Sequence, residues 1–298
     1  MQSANRAGLT SRLLLIAAAL LFSTGGAAIK ATALTAWQVA GFRSAVAAAV
    51  LLIALPETRS GWDWRVLPAG AAYAATMVLF VLANKLTTAA DTIFLQSTAP
   101  LYMLVLGPLL LHEPVRRADL LCMAGVATGM AFFFAGAQAS TISAPDPLRG
   151  KLLAACAGIC WAFTLAGFRW LGRNAGPRDS SMPAVVTGNL LAFAACLPEA
   201  LPITRMSPAD ISVVLYLGIF QVGIAYICLA CGLRAVPALT ASILLLVEPA
   251  LNPVWAWMLH GERPGARPLL GGALILLSTF LATLWQARAK RTAEPGAV

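Results

Sequence analysis

The sequence predicts an all-α, polytopic membrane protein of ten transmembrane helices, arranged as two inverted five-helix repeats. Three observations carry that prediction. Hydrophobic residues make up 59% of the 298-residue chain and charged residues 11%, whereas soluble proteins carry about 25% charged residues. Polar breaks divide the chain into ten apolar segments. One late segment also has an earlier twin. Val236–Pro264 reads VPALTASILLLVEPALNPVWAWMLHGERP, and Thr87–Val115 reads TTAADTIFLQSTAPLYMLVLGPLLLHEPV. At a constant offset of 149, Ala89 matches Ala238, Leu95 matches Leu244, Pro100 matches Pro249, Leu110 matches Leu259 and Glu113 matches Glu262.

The segments run over 12–30, 36–55, 66–84, 89–111, 118–136, 150–171, 182–198, 209–231, 238–259 and 268–286. Each approaches the roughly 20 apolar residues that cross a bilayer as a helix. The first, preceded by Arg6 and Arg12, has the outline of a signal peptide, but nine further spans argue for an uncleaved first helix. In the fifth, Gly125 and Gly129 form G-x-x-x-G, a pattern for close helix contact within the chain or across a dimer. The longest loop, Gly136–Arg149, divides the chain into a first repeat over 1–137, a linker over 138–149, a second repeat over 150–290 and a tail over 291–298. Five spans per half is odd, so the second copy must be inserted upside down. A second match, SRLLLIAAALLFSTG with GKLLAACAGICWAFT at an offset of 139, pairs Phe22 with Trp161.

Orientation follows from basic residues. With the N-terminus in the cytoplasm, thirteen Lys and Arg fall inside, among them Arg59, Arg65, Arg116, Arg117, Arg169 and Arg173. Seven fall outside: Lys30, Lys85, Arg149, Lys151, Arg205, Arg263 and Arg267. The bias places both termini inside. Trp37, Trp62, Trp64, Trp170, Trp255, Trp257 and Trp285 fall at span ends, as an aromatic belt requires, and Trp161 lies mid-span. The net charge of +9 is accounted for by such loops and implies no nucleic-acid partner.

Glu248 is the residue with the sharpest meaning. A charge at the bilayer centre costs at least about 2.5–3.5 kcal/mol, so a mid-span carboxylate binds a cation, titrates a coupling proton or is buried in a polar network. Pro249 follows it and removes a helical donor, freeing a carbonyl near Leu245 for water or substrate; Pro100 is its twin. Arg43 lies about 10 Å into the second span at 1.5 Å per residue, near the depth of Glu248. It has three readings: a buried pair with Glu248, a carboxylate-binding group, or a side chain snorkelling to the surface. Trp161 either walls a cavity or packs. Tyr73, Met77, Phe80 and Asn84 recur on one face of the third span, as a cavity wall or a helix contact. Gln96, Ser97 and Tyr102 flank Pro100; Asn189, Gln221 and Tyr226 lie on the seventh and eighth spans and Asn252 on the ninth. Each is a candidate substrate contact or an interhelical hydrogen bond. Glu113 and Glu262 are expected to cap or brace the ends of the twin helices.

The stretches AWQVAGFRSAVAAAVLL, STAPLYMLVLGPLLLHEP and VEPALNPVWAWMLHGERP resemble the drug/metabolite transporter superfamily in its ten-span EamA-type form. The family pattern is a proline-containing helix ending in a Gly-Glu-like turn, once per half; here the first copy carries His112 where the second has Gly261. The resemblance covers nearly the whole chain. It implies two inverted five-helix units around a central cavity and export of small metabolites, with the amino-acid exporter branch as the expectation.

Function classes narrow accordingly. A secondary transporter fits the repeats and midplane polar residues. No phosphate-binding loop is present, so ATP hydrolysis is not expected. A membrane enzyme acting on a lipid-linked substrate needs a cluster of Asp, His, Ser or Cys at one interface, yet the two histidines, His112 and His260, fall on opposite sides. A sensor or scaffold needs an output domain, and no polar stretch is long enough for one. Cys228-x-x-Cys231 and the Cys156/Cys160 pair lack neighbouring ligand types and read as small packing residues. No metal or cofactor is expected. The expected partners are a small neutral or zwitterionic solute and the lipid bilayer; monomer and homodimer are both open.

Overall fold

The structure, a computed structural model, describes residues 2–60, 62–112, 117–135, 140–174, 181–233 and 244–293. Over these residues the chain is helical, and the single extended pairing is an isolated bridge between Thr141 and Ala144. In order the helices are α1 (Gln2–Ser23), α2 (Gly25–Lys30), α3 (Ala36–Ala54), α4 (Val66–Leu86), α5 (Ala89–Gln96), α6 (Ala99–Leu111), α7 (Arg117–Phe134), α8 (Pro147–Asn174), α9 (Ser181–Ala200), α10 (Pro208–Tyr216), α11 (Ala225–Leu233), α12 (Val247–His260) and α13 (Ala266–Ala293). A short 3₁₀ turn (Pro56–Arg59) follows α3, and a π-helical segment (Leu217–Ile224) joins α10 to α11.

Local chemistry sets several of these boundaries. At the start of α3, Gln38 N donates to Thr35 Oγ1 and Thr35 N donates to Gln38 Oε1, a capping box. Ser207 and Asp210 make the same box at α10. The caps also tie elements together. Gln38 Nε2 donates to Ala200 O at the end of α9 (3.1 Å), and Asp210 Oδ1 accepts from Thr32 Oγ1 and Ala33 N beyond α2. The twin helices α6 and α12 end alike, in left-handed residues: His112 at φ 52° and Gly261 at φ 68°. Glycine adopts that conformation freely, and the histidine does so against its side chain.

Among the described residues six helical stretches are long and apolar enough to cross a membrane: Leu9–Lys30, Ala36–Ala54, Val66–Leu86, Pro147–Gly172, Ser181–Ala200 and Pro208–Gly232. Leu120–Phe134 and Ala266–Ala282 are shorter apolar helices. Large apolar side chains face outward along the bundle, including Val105, Leu109, Leu121, Leu277 and Leu281, each more than half exposed. A water-soluble surface this greasy would aggregate; one turned to lipid is at equilibrium.

Inside, α4 packs on α8 and α9, α3 on α9, and α1 on α11 and α12. The G-x-x-x-G of α7 is occupied within the chain. A Cβ at Gly125 would collide with Ser278 Oγ, and one at Gly129 would stand 2.7 Å from the Gly271 carbonyl, both on α13. Those two glycines are therefore the seam between α7 and α13 and not a dimer face.

Candidate functional site

Both twin helices are broken, and at matching places. The first breaks at Ser97–Thr98, between α5 and α6; the second breaks at Leu246, just before α12. Ser97 and Leu246 are 149 residues apart, the offset of the sequence match. The geometry differs from a proline embedded mid-helix. Pro100 sits at the second position of α6 and Pro249 at the third of α12. In a first turn the proline costs no hydrogen bond, because that donor has no helical partner in any case. Pro249 therefore frees no carbonyl by itself. Glu248 consequently lies in the first turn of α12, where the helix dipole favours an anion.

The two breaks line one cavity of about 140 Å³. By the measure in which one water needs about 10–15 Å³, that is room for roughly ten waters or a small solute. Gln96 and Ser97 contribute from the first break, and Leu245, Glu248 and Pro249 from the second. Arg43, Met77, Phe80, Trp161, Gln221 and Tyr226 close the remaining sides, with Phe22, Ile93, Val222 and Leu229 between them. The wall is aromatic and aliphatic with a few polar groups, the composition of a small-molecule site.

Arg43 is 1% exposed. It is held from two helices: Nη1 donates to Gln221 Oε1 (3.3 Å), and Nη2 to Met77 O (3.1 Å). Its Nε has no partner. Gln221 reaches it from the π-helical segment, an irregularity frequent at functional positions. Gly218 permits that approach, since a Cβ there would stand 2.5 Å from Val46 Cβ and 2.8 Å from Arg43 O. No ion pair joins Arg43 to Glu248 within 4.0 Å among the described residues, so neither the buried pair nor surface snorkelling is realised. The Glu248 carboxylate has no hydrogen-bond partner among them either. One cavity thus holds the Arg43 guanidinium and the Glu248 carboxyl group, with no ion pair between them.

Other sequence candidates lie elsewhere. Tyr73 and Asn189 are fully buried behind the cavity wall. Asn189 Nδ2 donates to Tyr73 Oη (3.3 Å), and the Tyr73 ring stands edge-on to Tyr226 at 5.7 Å, which Phe22 meets from the other side at 5.1 Å. They position Tyr226 without lining the cavity. Tyr102 turns toward Met130 on α7. Asn252 is fully buried with both carboxamide atoms unbonded, packed close to Gly26. Asn84 donates to Phe80 O and faces a different cavity. Glu113 lies outside the described residues.

Glu262 braces two helices. Its Oε1 stands 2.7 Å from Lys30 Nζ, both side chains nearly sealed, and its Oε2 accepts from Ala89 N (3.0 Å) at the start of α5. The C-terminal turn of one twin helix therefore caps the N-terminus of the other. Lys30 also donates to Thr87 O and Ser143 O. Lys151 donates to Phe133 O (2.6 Å) and lies 4.0 Å from Asp91. These lysines, counted above among loop charges, are buried braces in the structure.

Sequence reasoning missed Phe22, Ile93, Val222 and Leu229; the region of Leu245, singled out for its backbone carbonyl, does line the cavity. For Phe22 a signal existed: the offset of 139 pairs it with Trp161, and both side chains line the one cavity. The aliphatic residues carry no such mark. Among the described residues no cluster of metal-ligating side chains occurs, and the six cysteines form no disulfide.

The fold and the cavity define a polytopic helical membrane protein that encloses a solute-sized space between two interrupted helices. The chain belongs to the EamA-like transporter family, whose model matches it twice, over residues 9–135 and 148–284. An uncharacterized transporter of Clostridium kluyveri is 33% identical over 72 residues, covering 24% of this chain and 23% of that protein. A solved crystal structure superposes with a TM-score of 0.62 at 21% identity, over 92% of this chain and 98% of that one, a likeness of fold alone.

Proposed function

We propose that this transporter exports small zwitterionic solutes, foremost amino acids with aromatic or other neutral side chains, by alternating access across a bacterial-type cytoplasmic membrane. The observation that carries this reading is Arg43 and Glu248 in a single aromatic-walled cavity, neither of them in an ion pair among the described residues. A buried charge without a partner is costly, and a zwitterion supplies both partners at once. Its carboxylate meets Arg43, whose planar donors suit an oxyanion, and its ammonium meets Glu248. Phe22, Phe80 and Trp161 receive an apolar side chain. The ten spans form two inverted repeats with both termini cytoplasmic, and the two broken helices, one from each repeat, hinge about the solute.

Purified protein in proteoliposomes, offered radiolabelled amino acids and polyamines with and without a pH gradient, tests this directly. Neutral amino acids are expected to move and polyamines not. Transport of polyanions such as sugar phosphates alone would overturn it. Glu248→Gln separates the roles of the carboxylate: loss of gradient-driven transport with exchange retained marks a coupling group, and normal transport at every pH marks a structural one. A reporter fused after Val298 is expected to be active only in a cytoplasmic format.

A further inference from the structure

A second cavity, about 740 Å³, opens at the end of the bundle that carries Lys30 and Lys85. Every ionisable side chain in its wall is basic: Lys30, Lys85 and His260. Among the described residues no carboxylate lines it. A concave surface of one sign focuses potential and concentrates ions of the other.

The three basic groups are not equally free. The Lys30 ammonium, with three donors, meets three acceptors: Glu262, Thr87 O and Ser143 O. His260 Nε2 donates to Ala27 O (2.8 Å). Lys85 is different. Its ammonium donates to Thr32 O (2.6 Å) and makes no ion pair within 4.0 Å among the described residues. Among the described residues two of its donors are unfilled. The acid on the far side of Thr32, Asp210, does not reach it, because its oxygens accept from Thr32 Oγ1, Ala33 N and both Ser207 donors. The fully buried Asn84, also in the wall, leaves its carboxamide oxygen unbonded. The Thr141–Ser143 lip is pinned over the cavity by the Lys30 bond to Ser143 O.

We propose that this cavity is a second ligand site, in which Lys85 holds the oxyanion of a carboxylate or phosphate group. The chemistry is shared by a soluble anion, such as the carboxylate end of a transported solute, and by a phospholipid phosphate. The site stands on its own geometry and does not depend on the reading of the central cavity.

Thermal unfolding of the full-length protein tests it, with sodium acetate or sodium phosphate titrated against sodium chloride at matched ionic strength. A bound anion raises the midpoint, by roughly 2–4 °C at several times its dissociation constant. The rise is expected in the wild type and in Lys85→Arg, and is expected to vanish in Lys85→Gln. Arg43→Gln, in the central cavity, keeps it, so failure here is distinct from failure of the transport reading. Ser143→Asp, which puts a carboxylate on the lip without touching Lys85, is expected to abolish the rise as well and serves if Lys85→Gln does not accumulate. In nanodiscs, a rise that survives in phosphatidylglycerol identifies a soluble anion. A rise seen in phosphatidylcholine and pre-empted, Lys85-dependently, by phosphatidylglycerol identifies a lipid phosphate. No rise in the wild type, or an equal rise in Lys85→Gln and Ser143→Asp, overturns the site.

Discussion

The central and end cavities solve the problem of charge in opposite ways. The central one is small, walled by aromatic and aliphatic side chains, and holds one basic and one acidic side chain, Arg43 and Glu248, with no ion pair between them. The end cavity is larger, and the ionisable side chains that line it among the described residues, Lys30, Lys85 and His260, are all basic. The composition of the walls explains the difference. Against an apolar wall a charged group gains little unless the ligand brings a specific counterpart, so matching groups in fixed places decide what enters. Where the ionisable groups share one sign, charge acts through a field and selects by sign more than by shape. The helix α5 runs from one region to the other. Its first residue, Ala89, is capped by Glu262 beside Lys30 of the end cavity, and its last, Gln96, lines the central one.

The largest expected effect comes from breaking that link. Glu262→Gln leaves Lys30 buried without its counter-charge and weakens the cap on α5. Loss of one partner of a buried pair costs about 3–5 kcal/mol, read as a lowered unfolding midpoint. Replacing both residues by Met is expected to recover most of the loss. If Glu262→Gln unfolds within about 1 kcal/mol of the wild type, the pair does not join the two regions energetically.

Arg43→Gln comes next. A charge-assisted hydrogen bond contributes about 1.5–3 kcal/mol, so apparent affinity for a neutral amino acid is expected to fall roughly 10- to 150-fold in a proteoliposome uptake assay. Arg43→Lys keeps the charge but not the planar fork and is expected to rescue only part. Equal loss for a solute lacking a carboxylate would show that Arg43 serves packing alone.

The smallest effect separates the two kinds of electrostatics. Raising salt screens exposed charges over about 8–10 Å and leaves enclosed ones nearly untouched. Apparent affinity from the Lys85 side is expected to weaken by about threefold or less between low and high salt, and Lys85→Gln is expected to flatten that slope. A steep slope that persists in Lys85→Gln would place the salt-sensitive charge elsewhere.

Much of the central cavity was legible as a list and little of it as a shape. Glu248 and Arg43 stand out because charge in an apolar segment is expensive and therefore rare. The offset of 149 marked both broken helices, and the offset of 139 marked Phe22 with Trp161. On α4, the stripe Tyr73, Met77, Phe80 and Asn84 shares one helical face, yet its members reach three surroundings. Met77 and Phe80 line the central cavity, Tyr73 packs behind it, and Asn84 faces the end cavity. Helical spacing tells which residues share a face; neighbouring helices decide what that face meets along its length.

From the sequence alone came the membrane-spanning character, the family resemblance and the pairing of the two proline-containing segments. These rest on composition and periodicity, which are local and additive. Tertiary structure alone decided that Arg43 meets Gln221 and Met77 instead of Glu248, because their positions across α3, the π-helical segment and α4 depend on how tightly residues such as Gly218 let helices approach. It also decided that Lys30 and Lys151 are buried braces while Lys85 keeps donors free. Three lysines near the ends of apolar segments look alike in one dimension. Which of them finds an acceptor depends on backbone carbonyls and carboxylates that only folding brings within about 3 Å.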